Sequence, residues 1–387
     1  MPDWVDALLI AVIVLCAVLL LWPFLFYPLI LRLLPARPVR RDAAAPGPSL
    51  SLLFCAYNEA ASLPEKIANL RALTARHPGI EILAFDDGSD DGTDRLLAEA
   101  RDLLTVVRGP GRSGKAHGMK RLAAMARGEV LVFTDANVLL DADAIDHLLP
   151  YYADPAIGGV LGSLRYGGTE SSASAAVGGL YWRIEEHLKD LESRTGNVMG
   201  ADGSIFSIRR ALYPDFPDSV LDDLTVSMSV VFAGRRLVKA KDVIAREMMV
   251  ARREDEYHRK VRIAARSWHT HRYLRPDLGR MGALDRFKYA SRKIVRWFGA
   301  LWIGLGAAAA FVLAWRIAPF AAVVLGAAGL LLLLLGLQMR RGPLAALVDL
   351  LLAYVATLRG VLLAMRGRTI TLWAPAKSRD AGERDGA

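Results

Sequence analysis

From Ser49 to roughly Ala251, short apolar runs alternate with stretches of helical periodicity, and this alternation most limits the folds open to the chain. Ser49–Tyr57 (SLSLLFCAY), Glu81–Ser89 (EILAFDDGS), Thr105–Gly109 (TVVRG) and Glu129–Phe133 (EVLVF) read as strands. Glu59–Arg76, Thr93–Leu104 and Lys115–Arg127 read as helices. Strands and helices in βαβα order predict an α/β fold, a mostly parallel sheet with helices on both faces. In such sheets ligands bind beyond the carboxyl ends of the strands. Polar residues gather there: Tyr57, Asn58 and Glu59 after the first run, Asp86, Asp87, Gly88 and Ser89 after the second, and Thr134, Asp135 and Asn137 after the last. A single strand-end Asp is ordinarily a turn former, and Ser89–Thr93 reads as a turn leading into a helix. Three acidic ends on one edge ask for more than capping.

An acidic edge repels a bare phosphate but suits a hard divalent cation that carries phosphate oxygens. No GxGxxG follows the first strand, which disfavours a nicotinamide-binding fold. No GxxxxGK[ST] occurs either. Gly109–Gly118 (GPGRSGKAHG) approaches that loop, but Ala116 stands where Ser or Thr would be. Its glycines and Lys115 suit a diphosphate; a plain surface loop is the alternative.

The ends of the chain belong to a different solvent. Leu8–Leu34 is nearly continuously apolar, broken by Pro23 and Pro28, and exceeds the roughly 20 residues that cross a bilayer. Asp3 and Asp6 precede it and no small-residue cleavage site follows, so it reads as a retained helix rather than a signal peptide. Arg32, Arg37, Arg40 and Arg41 then place the N-terminus outside and the next segment in the cytoplasm. Phe298–Trp315, Phe320–Leu337 and Leu344–Met365 are further apolar segments. The last carries Asp349 and Arg359, with Arg366 and Arg368 behind it. If it crosses, a basic tail lies outside; if it lies in the interface, the tail stays inside, and this second reading is preferred. A mean hydropathy of +0.27 with 23% charged residues agrees with partial membrane residence.

The expected organisation is an N-terminal transmembrane helix (1–34), a linker (35–48), a catalytic α/β domain (49–251), basic juxtamembrane helices (252–297), C-terminal transmembrane or interfacial helices (298–366) and a cytoplasmic tail (367–387). Cys16 and Cys55 are the only cysteines, so no disulfide framework or cysteine metal site is expected, in keeping with a reduced compartment. From Arg246 to Arg296 there are fifteen Lys or Arg against six Asp or Glu, so this segment carries an excess equal to the whole chain's +9. Beside a membrane, and with Trp268, Trp297 and Phe298 among the charges, it predicts anionic lipid headgroups rather than nucleic acid as the partner. A merely solvated basic face is the alternative. Tyr181–Arg194 reads as an amphipathic helix. His117, His258, His269 and His271 have no metal-ligand spacing.

These residues resemble the membrane-bound family 2 glycosyltransferases, on the side that includes cellulose-, chitin- and hyaluronan-synthase-like enzymes. The resemblance covers roughly Leu50–Arg275. CAYNEA (Cys55–Ala60) and DDGSDDGT (Asp86–Thr93) look like the two nucleotide-binding motifs, SGKAHGMK like the Gly-Lys-Ala segment, and FTDAN like the Asp-x-Asp metal motif. GADGSIFSIRR (Gly200–Arg210) is similar to the acceptor-side segment, and LDDLTVS (Leu221–Ser227) sits where the family carries its catalytic acids. The resemblance implies a Rossmann-like GT-A domain flanked by transmembrane helices, in the inner (plasma) membrane, with the catalytic part cytoplasmic.

It further implies donor contacts from Tyr57, Glu59, Asp87, Lys115 and Asp135. A Mg2+ or Mn2+ ion is expected on Asp135 and Asn137, where the neutral Asn137 departs from Asp-x-Asp and is the weaker ligand. Gly200, Ala201, Asp202 and Gly203 are expected on the acceptor side. Asp223 is the expected base and Asp222 its supporting acid. Both begin a helical stretch, which would lower a carboxylate's pKa, while each raises the other's. The Gln-x-x-Arg-Trp motif has no literal copy. Either Arg259, Arg262 and Ile263 or, with shifted spacing, Arg266 and Trp268 take its place.

The implied activity is inverting transfer of a sugar from a nucleotide sugar, UDP-linked by resemblance, to a lipid-linked or polysaccharide acceptor. Single transfer to a lipid and repeated transfer with export both remain open. The alternative is a nucleotide-sugar-binding membrane subunit without transferase activity.

Overall fold

The structure is a computed structural model, and it describes residues 3–42, 47–167, 173–248, 253–339 and 341–368. The chain begins with α1 (Asp3–Leu21), passes through a π-turn at Trp22–Phe26 and continues as α2 (Tyr27–Leu33). Pro23 and Pro28 lack backbone N–H groups. Around them the ladder widens, so that the Tyr27 N–H bonds to the Trp22 carbonyl five residues back.

The sheet then builds as the sequence predicts. β1 (Leu50–Ala56), α3 (Leu63–Arg76), β2 (Glu81–Asp86), α4 (Thr93–Glu99), β3 (Thr105–Arg108), α5 (Lys115–Met125) and β4 (Val130–Thr134) follow in order. β1 pairs in parallel with β2 and β4, and β2 with β3. Ala56 lies level with Asp86 and Leu53 with Phe133, so the residues after β1, β2 and β4 share one edge. Alternate β1 residues enter separate cores, Leu52 and Phe54 on one face and Leu53 on the other. That two-sided burial is why these strands read as unbroken apolar runs. α3 starts at Leu63 rather than Glu59, because residues 57–62 form the turn of the site.

The second half departs from a mostly parallel sheet. It contains β5 (Leu139–Leu140), α6 (Ala144–Leu148), β6 (Ile157–Gly167), α7 (Ala173–Arg194), β7 (Ile205–Arg209), α8 (Asp222–Phe232) and β8 (Arg236–Met248). The strand order is β3-β2-β1-β4-β7-β6-β8-β5. β7 runs antiparallel to β4 and β6, β5 runs antiparallel to β8, and β6 is parallel to β8. The sheet is therefore mixed, with four parallel pairings and three antiparallel ones. β6 hides from a propensity reading because it is glycine-rich. A Cβ on Gly159 would stand 2.8 Å from Leu237, and one on Gly162 2.6 Å from Ile205, so close strand packing requires the residues that weaken the strand signal.

After the sheet come α9 (Arg253–Leu274), α10 (Ala283–Tyr289), a π-turn at Ala290–Ile294, α11 (Val295–Trp297), α12 (Gly299–Ile317), α13 (Pro319–Gln338) and α14 (Pro343–Met365). Among the described residues four helical segments are long and apolar enough to cross a membrane: Trp4–Leu33, α12, α13 and α14. α1 and α12 run antiparallel, with Cys16 against Gly306 and an Asp6–Arg316 ion pair of 2.5 Å at the far end. α14 lies along α9, where Gly360 lets its backbone press on Val261 and Ala264. The tail beyond 368 lies outside the described residues.

Candidate functional site

The site is the shared edge beyond β1, β2 and β4. The turn after β1 needs Asn58 at φ 52°, in the left-handed region. Its side chain exchanges hydrogen bonds with Asp90: Nδ2 donates to the carboxylate at 2.7 Å, and Oδ1 accepts from the Asp90 N–H at 3.1 Å. Glu59 is buried beneath this turn. Its N–H donates to Thr93 Oγ1 at 2.9 Å, and its carboxylate accepts from Ser62 Oγ at 3.1 Å. The structure thus places Glu59 under the turn.

Asp87 shapes the glycine-rich loop. One carboxylate oxygen accepts from the Ser113 N–H at 2.7 Å, Ser113 Oγ at 2.8 Å and the Gly114 N–H at 3.0 Å. The Arg112 Nε lies 3.6 Å from its second oxygen. The Arg112 guanidinium in turn lies 3.4 Å over the Tyr57 ring. Tyr57 and Arg112 together offer a flat, cationic surface of the kind that suits a nucleobase. Gly88, at φ 77°, lets the two loops meet, for a Cβ there would stand 3.0 Å from the Gly111 backbone.

Lys115 opens α5, and its Nζ donates to Asp135 Oδ1 at 2.5 Å. Burial alone would push this lysine's pKa down. The Asp135, Asp222 and Asp223 carboxylates outweigh burial and hold it above its ordinary value, so it stays charged. Asp222 and Asp223 begin α8, where Asp222 is buried and Asp223 Oδ1 accepts from the Leu224 N–H at 2.6 Å. Burial and the neighbouring Asp222 charge push Asp223 up to about 6, against the pull of Lys115 and Arg266. Between the groups lies the Cys55 thiol. Burial raises its pKa well above the ordinary value, within the field of Lys115, Asp222, Asp87 and Asp135. Carboxylates from the ends of β2 and β4 and from the start of α8 therefore converge on one edge, around Cys55 and Lys115.

The 200–203 loop closes the site. Gly200 adopts φ 93°, with Leu224 2.5 Å from where its Cβ would be. The Ala201 N–H donates to Ser227 Oγ at 2.8 Å. Asp202 is anchored by the buried Lys189 and by Ser204. Burial would raise its carboxyl, but Lys189 holds it at about 2. A Cβ on Gly203 would stand 2.8 Å from Lys115 Nζ and 3.5 Å from Asp135 Oδ2. Gly203→Ala is accordingly expected to push the ammonium off Asp135 and weaken donor-nucleotide affinity. The loss of a charge-assisted hydrogen bond predicts about 10–100-fold, measurable by calorimetry.

Among the described residues no three His, Cys, Asp or Glu side chains cluster as a metal cage. The oxygens on offer are the Asp135 carboxylate and Asn137 Oδ1. The Asn137 Nδ2 donates to Glu247 Oε1 at 3.0 Å, which leaves its carbonyl oxygen for another contact. This donor set fits a cation of the Mg2+ kind, which takes one or two protein ligands and fills its shell with phosphate and water. It does not fit an all-protein site.

Residues 51–216 match the family model described as Glycosyl transferase family 2. That segment is a family 2 glycosyltransferase domain. The chain is 30% identical over 140 residues to a β-monoglucosyldiacylglycerol synthase of Synechocystis sp., an alignment that covers 33% of this chain and 29% of that protein. It is 26% identical over 178 residues to an N-acetylglucosaminyltransferase of Azorhizobium caulinodans, covering 44% of each. The chain thus spans less than a third of the length of the Synechocystis relative and under half of the other. In fold it resembles the mannosyltransferase PcManGT of Pyrobaculum calidifontis, solved with GDP-Man and Mn2+, with a TM-score of 0.72 at 20% identity over 93% of this chain and 99% of that one. The domain is a GT-A fold.

Arg266 lies by this acidic edge, its guanidinium donating to the Val220 carbonyl at 3.0 Å while its charge reaches Asp223. Arg262 sits one turn earlier on the same helix. Trp268 does not join them. It packs against Trp297 and His271, with ring centroids 5.3 and 5.6 Å away, on the far side of α9. Residues two apart on a helix diverge by about 200°, so Arg266 and Trp268 cannot face one acceptor together.

Two residues of the GT-A edge escaped the sequence reading. Arg112 sits in a loop read only for its glycines and lysine. Lys66 is fully buried; its Nζ donates to the Val138 carbonyl at 2.5 Å and lies 3.5 Å from Thr134 Oγ1, bracing the loop that carries Asp135. Burial lowers Lys66 to about 7, with Asp135 opposing. A signal was present, since Lys66 stands in the buried stripe Leu63, Lys66, Leu70, Leu73.

Proposed function

We propose that the chain transfers a sugar, with inversion, from a UDP-sugar to a lipid-linked or glycan acceptor at the cytoplasmic face of a membrane. The observation that carries this reading is the convergence of Lys115, Asp135, Asp222 and Asp223, with Asp223 held near neutrality at about 6. A carboxylate so tuned accepts a hydroxyl proton at physiological pH better than an ordinary one. Tyr57 and Arg112 hold the base, and the Gly109–Gly114 backbone with Lys115 receives the diphosphate. Asp223 takes the acceptor's proton, and the acceptor oxygen attacks the anomeric carbon from the face opposite the diphosphate. The glycosidic C–O bond to phosphate breaks, and its electron pair leaves on the nucleotide. Lys115 meets the charge that grows there. A Mg2+ or Mn2+ ion on Asp135 and Asn137 would supply further neutralisation of that charge.

The Synechocystis relative is named for a glucosyldiacylglycerol product, which supports a lipid acceptor over a long polymer. The packing of Trp268 against Trp297 and His271, away from Arg266, supports the same choice. α14 is packed along the basic α9, an arrangement that favours its lying in the interface with the tail inside. A thermal-shift series of UDP- and GDP-sugars with and without Mg2+ or Mn2+ tests the reading. A UDP-sugar should raise the melting temperature most, and more with metal. A larger shift with GDP-sugars would overturn the nucleotide, and no shift with any sugar nucleotide would overturn the activity.

A further inference from the structure

α9 has two working faces. Arg266, His269, Thr270 and Tyr273 look toward the acid loop: His269 shares a hydrogen bond of 3.1 Å with Ser219, and Thr270 Oγ1 accepts from the Leu221 N–H at 2.8 Å. Trp268, His271 and Arg272 lie on the opposite face, with Arg275 just past the helix end. There they line a cleft of about 620 Å³ that Ile294 and Met365 complete. Met365 ends an apolar helix of 23 residues, so the cleft opens where that helix stops.

The lining has the chemistry of an amphiphile's neck. Ile294, Met365 and the Trp268 ring are apolar. Arg272 and Arg275 are exposed, and among the described residues no carboxylate pairs with either, whereas Arg259, Arg280, Arg292 and Arg296 around them are all paired. The Trp268 indole N–H is buried in the wall without an acceptor among the described residues. Two unpaired guanidiniums over an apolar slot match a phosphodiester that carries acyl chains. A soluble anion has no use for the slot, and a neutral lipid has no use for the charges.

We propose that this cleft is a binding site for one anionic phospholipid, separate from the donor and acceptor sites. Arg272 and Arg275 grip the phosphodiester, and an acyl chain runs over Trp268, Ile294 and Met365. The lipid seats the face of α9 that backs the catalytic loop. This rests on the membrane reading above, and the test separates the two.

The full chain in maltoside micelles is titrated with phosphatidylglycerol or phosphatidylcholine, and lipid retention is read by native mass spectrometry. Flotation with vesicles of phosphatidylcholine alone reports membrane residence. Wild-type protein should float and should retain phosphatidylglycerol about tenfold more tightly than phosphatidylcholine, as two charge-assisted contacts predict. Arg272→Gln/Arg275→Gln should erase the preference with UDP-sugar binding and melting temperature unchanged. Met365→Trp, which fills the slot but keeps both charges, should weaken retention of both lipids. Equal retention of the two lipids by wild type, full retention by the double variant, or displacement by millimolar inorganic phosphate would each overturn the lipid site alone. Failure to float would overturn it together with the membrane reading.

Discussion

Asp223→Asn is expected to lower kcat by about 10²–10⁴, the usual contribution of a positioned base. Donor affinity should hold, because Lys115 keeps Asp135, its hydrogen-bonded partner. Asn is isosteric and still accepts from the Leu224 N–H, so the start of α8 is preserved. The acid limb of the wild-type pH–rate profile should fall near 6, since the base acts only when deprotonated. The same displacement sets the sign of the stability effect. The folded chain holds a proton on Asp223 between its ordinary 3.8 and about 6, which the unfolded chain has already released. Ionising this group in place therefore costs stability as pH rises through that window. A neutral Asn removes the cost, and the variant should melt no lower than wild type at pH 7. An inactive but undiminished fold is the signature of a catalytic role; a lower melting temperature with partial activity would assign Asp223 to structure instead. Steady-state transfer assays with a melting curve on the same preparation decide between them.

How much of this was legible follows from where each residue's constraint lies. β1, β2 and β4 were readable because both faces are buried, and their acidic ends were readable because a sheet of that order has one ligand edge. The start of α8 at Asp222 was likewise carried by local pattern. β6, β7 and β8 were not, because their identity depends on packing across the sheet: Gly159 and Gly162 are glycines on account of Leu237 and Ile205. Arg112 acquires its meaning only when the loop after β3 folds back over Tyr57. Helical phase alone separates Trp268 from Arg266. Residues two apart on one helix diverge by about 200°, so the pair could not share the acceptor face.

Glu192→Ala is expected to cost about 3–5 kcal/mol, the usual consequence of removing one partner from a buried ion pair. Glu192 is fully buried and serves three elements at once. It accepts from Tyr27 Oη of α2 at 2.6 Å, from Arg292 of the second π-turn at 2.5 Å and from the Met199 N–H at 3.0 Å. Arg292 also donates to Glu185 at 3.0 Å, and Glu185 pairs with Arg296. Burial would raise the Glu185 carboxyl, yet Arg296 and Arg292 hold it below the usual carboxylate range. The cluster thus ties the N-terminal apolar helix, α7 and the approach to α12 into one joint. Without Glu192, Arg292 keeps its charge in a dry environment with half its partners, and Tyr27 loses its acceptor. Glu192→Leu/Arg292→Leu should lose less than Glu192→Ala, because both charges leave the interior together. Melting curves of the single and double variants test this, and a double variant less stable than Glu192→Ala would show that the joint depends on its hydrogen bonds to Tyr27 and Met199 rather than on charge balance.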